Sequence, residues 1–404
     1  MKKNTLFVVL CVSAFLCQGL FLGTVVAGEW SGNVTIEARG FFHDGPGAHQ
    51  DRSNVSISAL PEYYNEWNNG DDSFTFTPFA RIDSDDSERS HADIRELKWT
   101  HVGKEWELDL GVSKVYWGVT ESQHLVDIVN QTDLVESIDN EEKLGQPMAR
   151  LSLVRDWGIV DLFVLPYFRE RTFPGKNGRL RTNPYVDTDL ALYESHQEEN
   201  HIDWAARWSH SLDIWDIGVS HFSGTNREPL LLPTFDKKGR LVLAPLYQQI
   251  DQTGLDVQAT IDSWLLKFEV ISRDGSGNGD RYFASTAGFE YTLYGIFDTQ
   301  QDMGLIAEYL YDERGRNAFT LFEDDIFLGA RWAWNDSNDT DFLAGVIQDV
   351  NSSERVFRVE GSHRLDNGLK LNVEGQFFSN IPRFSRFGSF RQEDFVQVEL
   401  GWYF

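Results

Sequence analysis

The chain has 404 residues and carries 36 Lys and Arg against 63 Asp and Glu, a formal net charge of −27. Its mean hydropathy of −0.38 excludes a bundle of membrane helices, which needs several apolar stretches of about 20 residues. The acidic balance argues against a nucleic-acid binder, whose contact surface is basic. Aromatic residues reach 14%, a content expected where alternate residues of each strand face an apolar medium.

The N-terminus has the pattern of a secretory signal peptide. Two lysines precede a long apolar run that ends in small residues at Ala27, so we predict a signal peptide over 1–27 with cleavage before Gly28. The alternative is an uncleaved membrane anchor. Both cysteines, Cys11 and Cys17, lie in this segment, so the exported chain would have neither a disulfide nor a cysteine-ligated metal.

Beyond residue 28, apolar and polar residues alternate with the period of a β-strand, in segments that recur about every 20 residues. Near the C-terminus, for example, Leu369, Leu371 and Val373 alternate with Lys370 and Asn372. Each segment has about the 9–11 residues that a tilted strand needs to cross a bilayer. We predict 18 strands, near 33–43, 54–64, 73–83, 92–102, 105–116, 147–156, 159–168, 203–211, 213–222, 252–261, 264–272, 281–291, 303–312, 326–334, 341–349, 355–364, 369–378 and 394–404.

The connections between these strands alternate in length. Long connections near 117–146, 169–202, 223–251 and 379–393 are separated by links of only a few residues. Short turns at one end and long loops at the other are the organisation of outer-membrane barrels. The sequence therefore predicts an all-β fold over 28–404: a transmembrane, antiparallel, up-and-down β-barrel of 16–18 strands, with long outer loops and short periplasmic turns.

The last strand alternates up to an aromatic C-terminal residue, Phe404. This ending resembles the C-terminal signature of Gram-negative outer-membrane barrels, which the barrel assembly machinery reads; the alternative is an aromatic edge strand of a soluble protein. Aromatic residues near predicted strand ends would form girdles at the membrane interface. These residues are Trp30, Trp67, Trp106, Trp157, Trp215, Trp264, Trp334 and Tyr403.

The segment 93–134 carries a more specific pattern. An Arg-Glu strand precedes a strand with Gly111 that leads to Trp117-Gly118, and a loop of Asp and Asn residues follows. This order resembles porin-like outer-membrane families related to alginate-export proteins and to uncharacterised porin groups. The sequence departs from that pattern at Lys114 and Gln131, so the resemblance implies a channel fold and not a particular solute.

The connection near 117–146 has apolar residues spaced for one or two short amphipathic helices. They are Leu125, Ile128, Val129, Leu134, Val135 and Ile138. A long loop with an apolar face needs a surface to pack on, and in a wide barrel it can fold inward. We therefore predict that Asp127, Asn130, Asp133 and Glu136 line a constriction. The alternative is a loop packed on the outer rim with these groups solvated.

The polar face of the strands would line the lumen, with somewhat more carboxylates than bases. We predict as pore-lining residues Glu107, Asp109, Arg150, Arg207, Lys267, Glu269, Arg331, Arg358, Glu360 and Glu374. A lumen of mixed charge suits polar, water-filled diffusion with at most a modest cation preference. The alternative is that many of these charges form salt bridges across the barrel and play no part in selectivity.

The sequence shows no Gly-x-Ser-x-Gly, His-Glu-x-x-His or phosphate-loop motif, so we predict neither an enzyme nor a bound cofactor or metal. The first expectation is a porin-like channel for passive diffusion of small hydrophilic solutes. Two alternatives remain: a substrate-specific export or uptake channel with periplasmic partners, and a non-conducting adhesion barrel. Expected partners are outer-membrane lipids, lipopolysaccharide bridged by divalent cations at the acidic segment 83–88, small solutes and a second copy of the chain.

Overall fold

The computed structural model describes residues 28–47, 49–276, 280–315, 318 and 322–404. The predicted signal peptide at 1–27 therefore lies outside the described residues.

Eighteen antiparallel strands form one closed barrel, which confirms the predicted fold class and strand number. Each barrel strand pairs with the next, and the last strand pairs with the first through contacts such as Ile36 opposite Leu400, so no strand edge is left open. The barrel strands are β1 (Glu29–Phe41), β2 (Ser53–Trp67), β3 (Asp72–Asp83), β4 (Ala92–Val102), β5 (Trp106–Ser113), β6 (Gln146–Arg155), β7 (Gly158–Leu165), β9 (Asp203–Leu212), β10 (Trp215–Thr225), β13 (Gln249–Ile261), β14 (Trp264–Asp274), β15 (Tyr282–Leu293), β16 (Asp302–Asp312), β17 (Asp324–Ala333), β18 (Asp341–Asp349), β19 (Arg355–Asp366), β20 (Leu369–Ser379) and β21 (Phe395–Tyr403).

Three further strands lie in the long loops and were not predicted. They form a small separate sheet in which a hairpin pairs in parallel with a two-residue strand. These strands are β8 (Leu192–Tyr193), β11 (Leu230–Phe235) and β12 (Leu241–Tyr247). The described residues contain no α-helix and only short 3-10 turns, at Asn68–Gly70, Thr188–Leu190, Glu198–Asn200, Ile296–Asp298 and Arg386–Ser389.

No helix in the described part of the chain has the length and apolarity required to cross a membrane.

The two faces of each strand differ as the alternation predicts. On β1, Ile36 points outward and is 54% exposed, whereas its neighbour Glu37 points inward and is 1% exposed. The outer surface of the barrel is thus apolar and the inner surface polar, the reverse of a soluble protein. Of the predicted girdle residues, Trp30 and Trp157 are among the most exposed, and both lie at the short-turn end, where β1 begins and β6 turns into β7.

The long connections meet at the opposite end of the barrel, where an apolar ring lines the inside of the wall. The ring consists of inward-facing residues close to the loop ends of the strands. Nearer the short-turn end, the inward-facing residues are polar instead. Its buried members include Phe41, Leu165, Phe222, Ile250, Ile271, Leu310, Phe327, Val356, Phe378 and Phe395.

One glycine of the barrel wall is required by both its conformation and its surroundings. Gly111 on β5 has φ +137°, and a Cβ atom there would lie 2.0 Å from the carbonyl oxygen of Leu97 on β4. We expect Gly111→Ala to lower the free energy of unfolding by about 1–3 kcal/mol through backbone strain, in addition to the clash. The measurement is the heat-modifiable folded fraction after refolding and its unfolding midpoint.

Gly361→Ala is the matched control, because a Cβ atom on Gly361 would meet its nearest neighbour at an ordinary 3.4 Å. If both variants fold equally well, the close approach of β4 and β5 at Gly111 does not constrain the barrel.

Candidate pore constriction

The connection between β5 and β6, residues 114–145, is here named the inward loop. Glu121 in this loop accepts a hydrogen bond from Arg331 on β17 at 2.7 Å. Asp139, further along, accepts one from Arg358 on β19, also at 2.7 Å. Both arginines belong to strands far around the barrel from β5 and β6, so the inward loop crosses the barrel interior and does not pack on the outer rim.

Two wall carboxylates hold the backbone of the inward loop. Glu269 on β14 accepts hydrogen bonds from the backbone amides of Val119 at 2.7 Å, Thr120 at 3.0 Å and Val126 at 3.2 Å. Glu308 on β16 accepts from the two amides at positions 121 and 122, at 2.7 and 2.8 Å. A loop inside a barrel has no ladder of its own, so these carboxylates replace the partners that a strand or helix would supply.

The predicted amphipathic helices are absent: the inward loop consists of turns, bends and isolated bridges. Side-chain hydrogen bonds to the backbone compete with helix formation. The Asn130 side chain donates to the carbonyls of Ser113 and Leu144, both at 2.9 Å, and accepts from the amide of Val115. Four of the six predicted apolar residues, Leu125, Ile128, Val129 and Val135, are nevertheless buried, whereas Leu134 and Ile138 are half-buried. Much of the loop's apolar surface packs against the apolar ring. The shared cluster includes Trp117, Leu125, Val126, Ile128 and Val129 with Phe163, Leu165, Phe222, Ile250 and Ile271.

The four predicted constriction residues are buried in contacts that anchor the inward loop. Asn130 makes the backbone contacts described above. Asp127 lies 3.5 Å from Lys143 of the same loop, and its burial raises the pKa of its carboxyl group despite this neighbour. Asp133 and Glu136 reach the barrel wall. The more exposed acids of the loop are other residues, such as Glu141.

Asp133 and Glu136 bind arginines of the wall. Asp133 accepts a 2.6 Å hydrogen bond from Arg95 on β4, and Glu136 lies 2.8 Å from Arg81 on β3. Burial by itself would raise the pKa of Asp133, but His91 and Arg95 outweigh it and hold the pKa well below its usual range. A lining role for these residues stays a prediction, whereas their anchoring contacts are part of the structure.

The predicted pore-lining charges are mostly paired with neighbours. On β5 and β6, Arg150 binds Asp109 at 2.7 Å and also contacts Glu107. On β9 and β13, Arg207 and Asp256 form two parallel hydrogen bonds of 2.6 and 2.7 Å. These pairs join strands of one wall, which agrees with the alternative that many lumen charges are structural.

The remaining residues predicted to line the pore lie where the inward loop approaches the wall. Lys267 on β14 is 3.6 Å from Glu121, the same carboxylate that binds Arg331. Arg358 contacts Glu360 on its own strand as well as Asp139. Glu374 on β20 lines a small space beside Arg39 and forms no ion pair in the described part of the chain.

Sequence reasoning missed Arg95 because a β-bulge changes the alternation of β4. The pairing with β3 skips this residue: Thr77 is opposite Glu96, and Pro78 is opposite Ile94. Arg95 and Glu96 therefore do not alternate in the expected way, and Arg95 reaches Asp133. Pro78 is the sequence signal, since proline cannot donate to a ladder and is found at bulges.

The loop between β7 and β9, residues 166–202, spans the mouth of the barrel above the inward loop. Arg179 in this loop donates to Glu393 at 2.7 Å and to the carbonyls of His43 and Asp51. It thereby ties the β7–β9 loop to the connections that precede β2 and β21. The acidic segment 83–88 is partly used in the same way, because buried Asp86 accepts a hydrogen bond from the amide of Gly175 in this loop.

One group of side chains has the composition of a metal site. His91 Nε2 lies 3.7 Å from carboxylate oxygens of both Asp133 and Glu136. Arg95 and Arg81 already bind these two carboxylates, so their negative charge is neutralised by side chains of the chain itself.

Comparison with known proteins identifies no family, because no family model and no curated protein sequence matches the chain. Two solved structures of variant Rhodopseudomonas blastica porins align with 94% of this chain and 100% of their own, at 10% and 11% identity and TM-scores of 0.47 and 0.46. A structure described as "Asymmetric conductivity of engineered proteins" aligns over the same shares, at 11% identity and a TM-score of 0.47.

Removing the two wall carboxylates should release the inward loop. We expect Glu269→Gln/Glu308→Gln to increase trypsin cleavage after Lys143, which is buried in the wild-type loop, by about tenfold or more. Each lost charged acceptor costs roughly 1–3 kcal/mol of local stability. The cleavage rate is measured by mass spectrometry on the folded barrel.

The control is Glu105→Gln, which changes an exposed glutamate in a short turn. Equal cleavage of wild type and the double variant would show that apolar packing alone holds the inward loop.

His124 couples the inward loop to pH. It lies 3.4 Å from Glu141 and 3.9 Å from Glu269. Burial lowers the pKa of His124, but the two carboxylates outweigh this effect and raise the pKa to about 10. Because the folded value exceeds the ordinary 6.5, the protonated imidazole contributes stability below pH 6.5 that is lost as the pH rises through about 10.

We therefore expect His124→Gln to lower the unfolding midpoint at pH 7 and to have little effect above pH 10. The measurement is thermal unfolding by circular dichroism across this range. Curves for wild type and variant that stay parallel from pH 7 to pH 10.5 would contradict the coupling.

Proposed function

We propose that the chain is an outer-membrane, porin-like channel that lets small hydrophilic solutes diffuse passively. The apolar outer face of a closed barrel suits a lipid bilayer, and the charged inner face suits water. A barrel of 16–18 strands is wide enough to leave an aqueous channel. Selection would then depend on the width and charge of the passage that the inward loop leaves open.

The observation that carries this proposal is the unequal cover of the inner wall. Glu269 and Glu360 each lie five residues from the loop end of their strand, Asp274 and Arg355 respectively. The Glu269 side chain is fully buried under the inward loop, whereas that of Glu360 is 37% exposed. The passage therefore runs off-centre, along the wall formed by β17–β20.

Charges of both signs face this passage. Arg331 is 40% exposed and Arg358 31% exposed, on the side of the wall. Glu141, 46% exposed, stands on the inward loop together with the partly exposed Glu121. The electric fields of opposite charges close to one another cancel beyond a few ångström. The passage should therefore discriminate between solutes by their size more than by the sign of their charge.

The proposal includes partners that the sequence indicated. Outer-membrane lipids and lipopolysaccharide would surround the apolar belt. Phe404 would serve as the signal for the assembly machinery before the barrel closes, since in the closed barrel its backbone pairs with Gly32. Export by the segment 1–27 would bring the chain to this membrane.

The experiment is single-channel recording in a planar lipid bilayer with the refolded chain from Gly28. Because both native cysteines precede residue 28, Glu360→Cys offers a single thiol. We expect stable current steps, and smaller steps after an anionic thiosulfonate reacts with this cysteine, since the adduct narrows the proposed passage.

Ser220→Cys is the matched control. Ser220 faces inward on β10 but is only 4% exposed beneath the inward loop, so the reagent should leave its current unchanged. A folded barrel without current steps would overturn the channel. An effect at Ser220 and none at Glu360 would overturn the off-centre passage.

A further inference from the structure

A cavity of about 790 Å³ lies at the loop end of the barrel, between the ends of β16–β19 and the connection that precedes β21. It is here named the outer vestibule, because it stands above the part of the wall that the inward loop leaves uncovered. Its volume falls within the range of small-molecule sites, about 300–1,000 Å³. Since it belongs to the same passage, the inference drawn from it rests on the proposed function and adds a solute class to it.

The outer vestibule has an excess of negative charge. Seven carboxylate residues and two arginines line it. One of the seven, Asp312, is neutralised by Arg314 at 2.6 Å. One of the arginines, Arg355, is held by the side chain of Gln348.

Two of these carboxylates face each other on neighbouring strands. Asp325 on β17 stands directly opposite Asp349 on β18 in the barrel register. Asp325 is 4% exposed, and in the described part of the chain it accepts a backbone hydrogen bond from Asp324 but forms no ion pair. Like charges opposite one another destabilise a sheet, and a buried carboxylate is costly unless it is paired. A cation in the vestibule would remove both costs.

The rest of the vestibule lining combines the polar residues Asn351, Ser352 and Ser385 with an apolar part that includes Ile347, Val356, Phe384 and Phe387. Ile347 packs beside the small cluster of Ile306, Leu310 and Phe327, which contains no residue of the inward loop. Val356 belongs to the same stretch of the apolar ring. The inward loop thus covers the ring along β7–β15, whereas along β16–β19 the ring borders the outer vestibule.

This combination distinguishes an organic cation from a metal ion. In the described residues, the only three His or carboxylate ligand atoms within 4.8 Å of one another belong to His91, Asp133 and Glu136, outside the vestibule. The described vestibule carboxylates therefore offer no cluster of three ligand atoms for a small metal ion. An ammonium group attached to an apolar body matches the facing carboxylates and the apolar part of the lining.

We propose that the outer vestibule binds organic ammonium cations. The ammonium group lies between Asp325 and Asp349, and the apolar or aromatic body packs on Ile347 and Val356. Such solutes are concentrated above the passage before they cross it.

The test is isothermal titration calorimetry of the refolded barrel in detergent with benzylamine, and with benzyl alcohol as a neutral molecule of the same shape. We expect wild type to bind benzylamine. We expect Asp325→Asn/Asp349→Asn to bind it with an affinity at least about tenfold lower, which corresponds to about 1.4 kcal/mol. The control is Asp213→Asn/Asp262→Asn, which removes two charges at short turns. Both positions have positive φ, which asparagine accepts.

The outcomes separate cleanly when heat-modifiable migration shows that each variant is folded. Equal binding of benzyl alcohol, or unchanged benzylamine affinity in Asp325→Asn/Asp349→Asn, overturns the proposal. Calcium that binds this cavity and displaces benzylamine also overturns it in favour of a metal site. Calorimetry needs no current, so benzylamine binding by a barrel that does not conduct would sustain the site and overturn only the channel.

Discussion

The structure depends on how a long loop satisfies its backbone polar groups inside a barrel. An irregular segment taken out of bulk water must find a partner for each buried N–H group, or lose free energy comparable to a missing hydrogen bond for each. Glu269 and Glu308 supply charged acceptors to five amides of the inward loop. Both residues belong to strands on the far side of the interior, so the loop is held across the barrel and not only at its own ends.

The same constraint explains the arrangement of the other charges. The loop carries its own carboxylates toward wall arginines, as in Asp133 with Arg95 and Glu136 with Arg81. The loop backbone at 119–126 thus meets carboxylates of the wall, whereas the loop carboxylates Asp133 and Glu136 meet arginines of the wall. The buried charges at these contacts are therefore paired or hydrogen-bonded, which is the condition under which burial of a charge is tolerated.

The barrel was predictable from sequence because each strand has one face toward an apolar environment and one toward a polar environment, which sets the two-residue period of its side chains. Lipid on one side and water on the other require strict alternation, so all 18 barrel strands were found, and that at 341–349 has the same bounds in the structure. The inward loop has no such imposed period. The apolar spacing from Leu125 to Ile138 reflects burial against the wall and was mistaken for a helix. Arg95 was missed because a bulge, marked only by Pro78, shifts the register of β4.

The inward loop also divides the interior into two chemically different halves. Along β7–β15 it covers the apolar ring, and its contacts account for buried charges such as Glu269. Along β16–β19 it does not reach the ring, and there two facing aspartates, Asp325 and Asp349, lack a counter-ion among the described residues. A barrel filled symmetrically would have no reason to leave such a pair in place. Under the proposed function, selectivity should therefore reside in this half, where the described residues neither cover the apolar ring nor pair these two aspartates with a base.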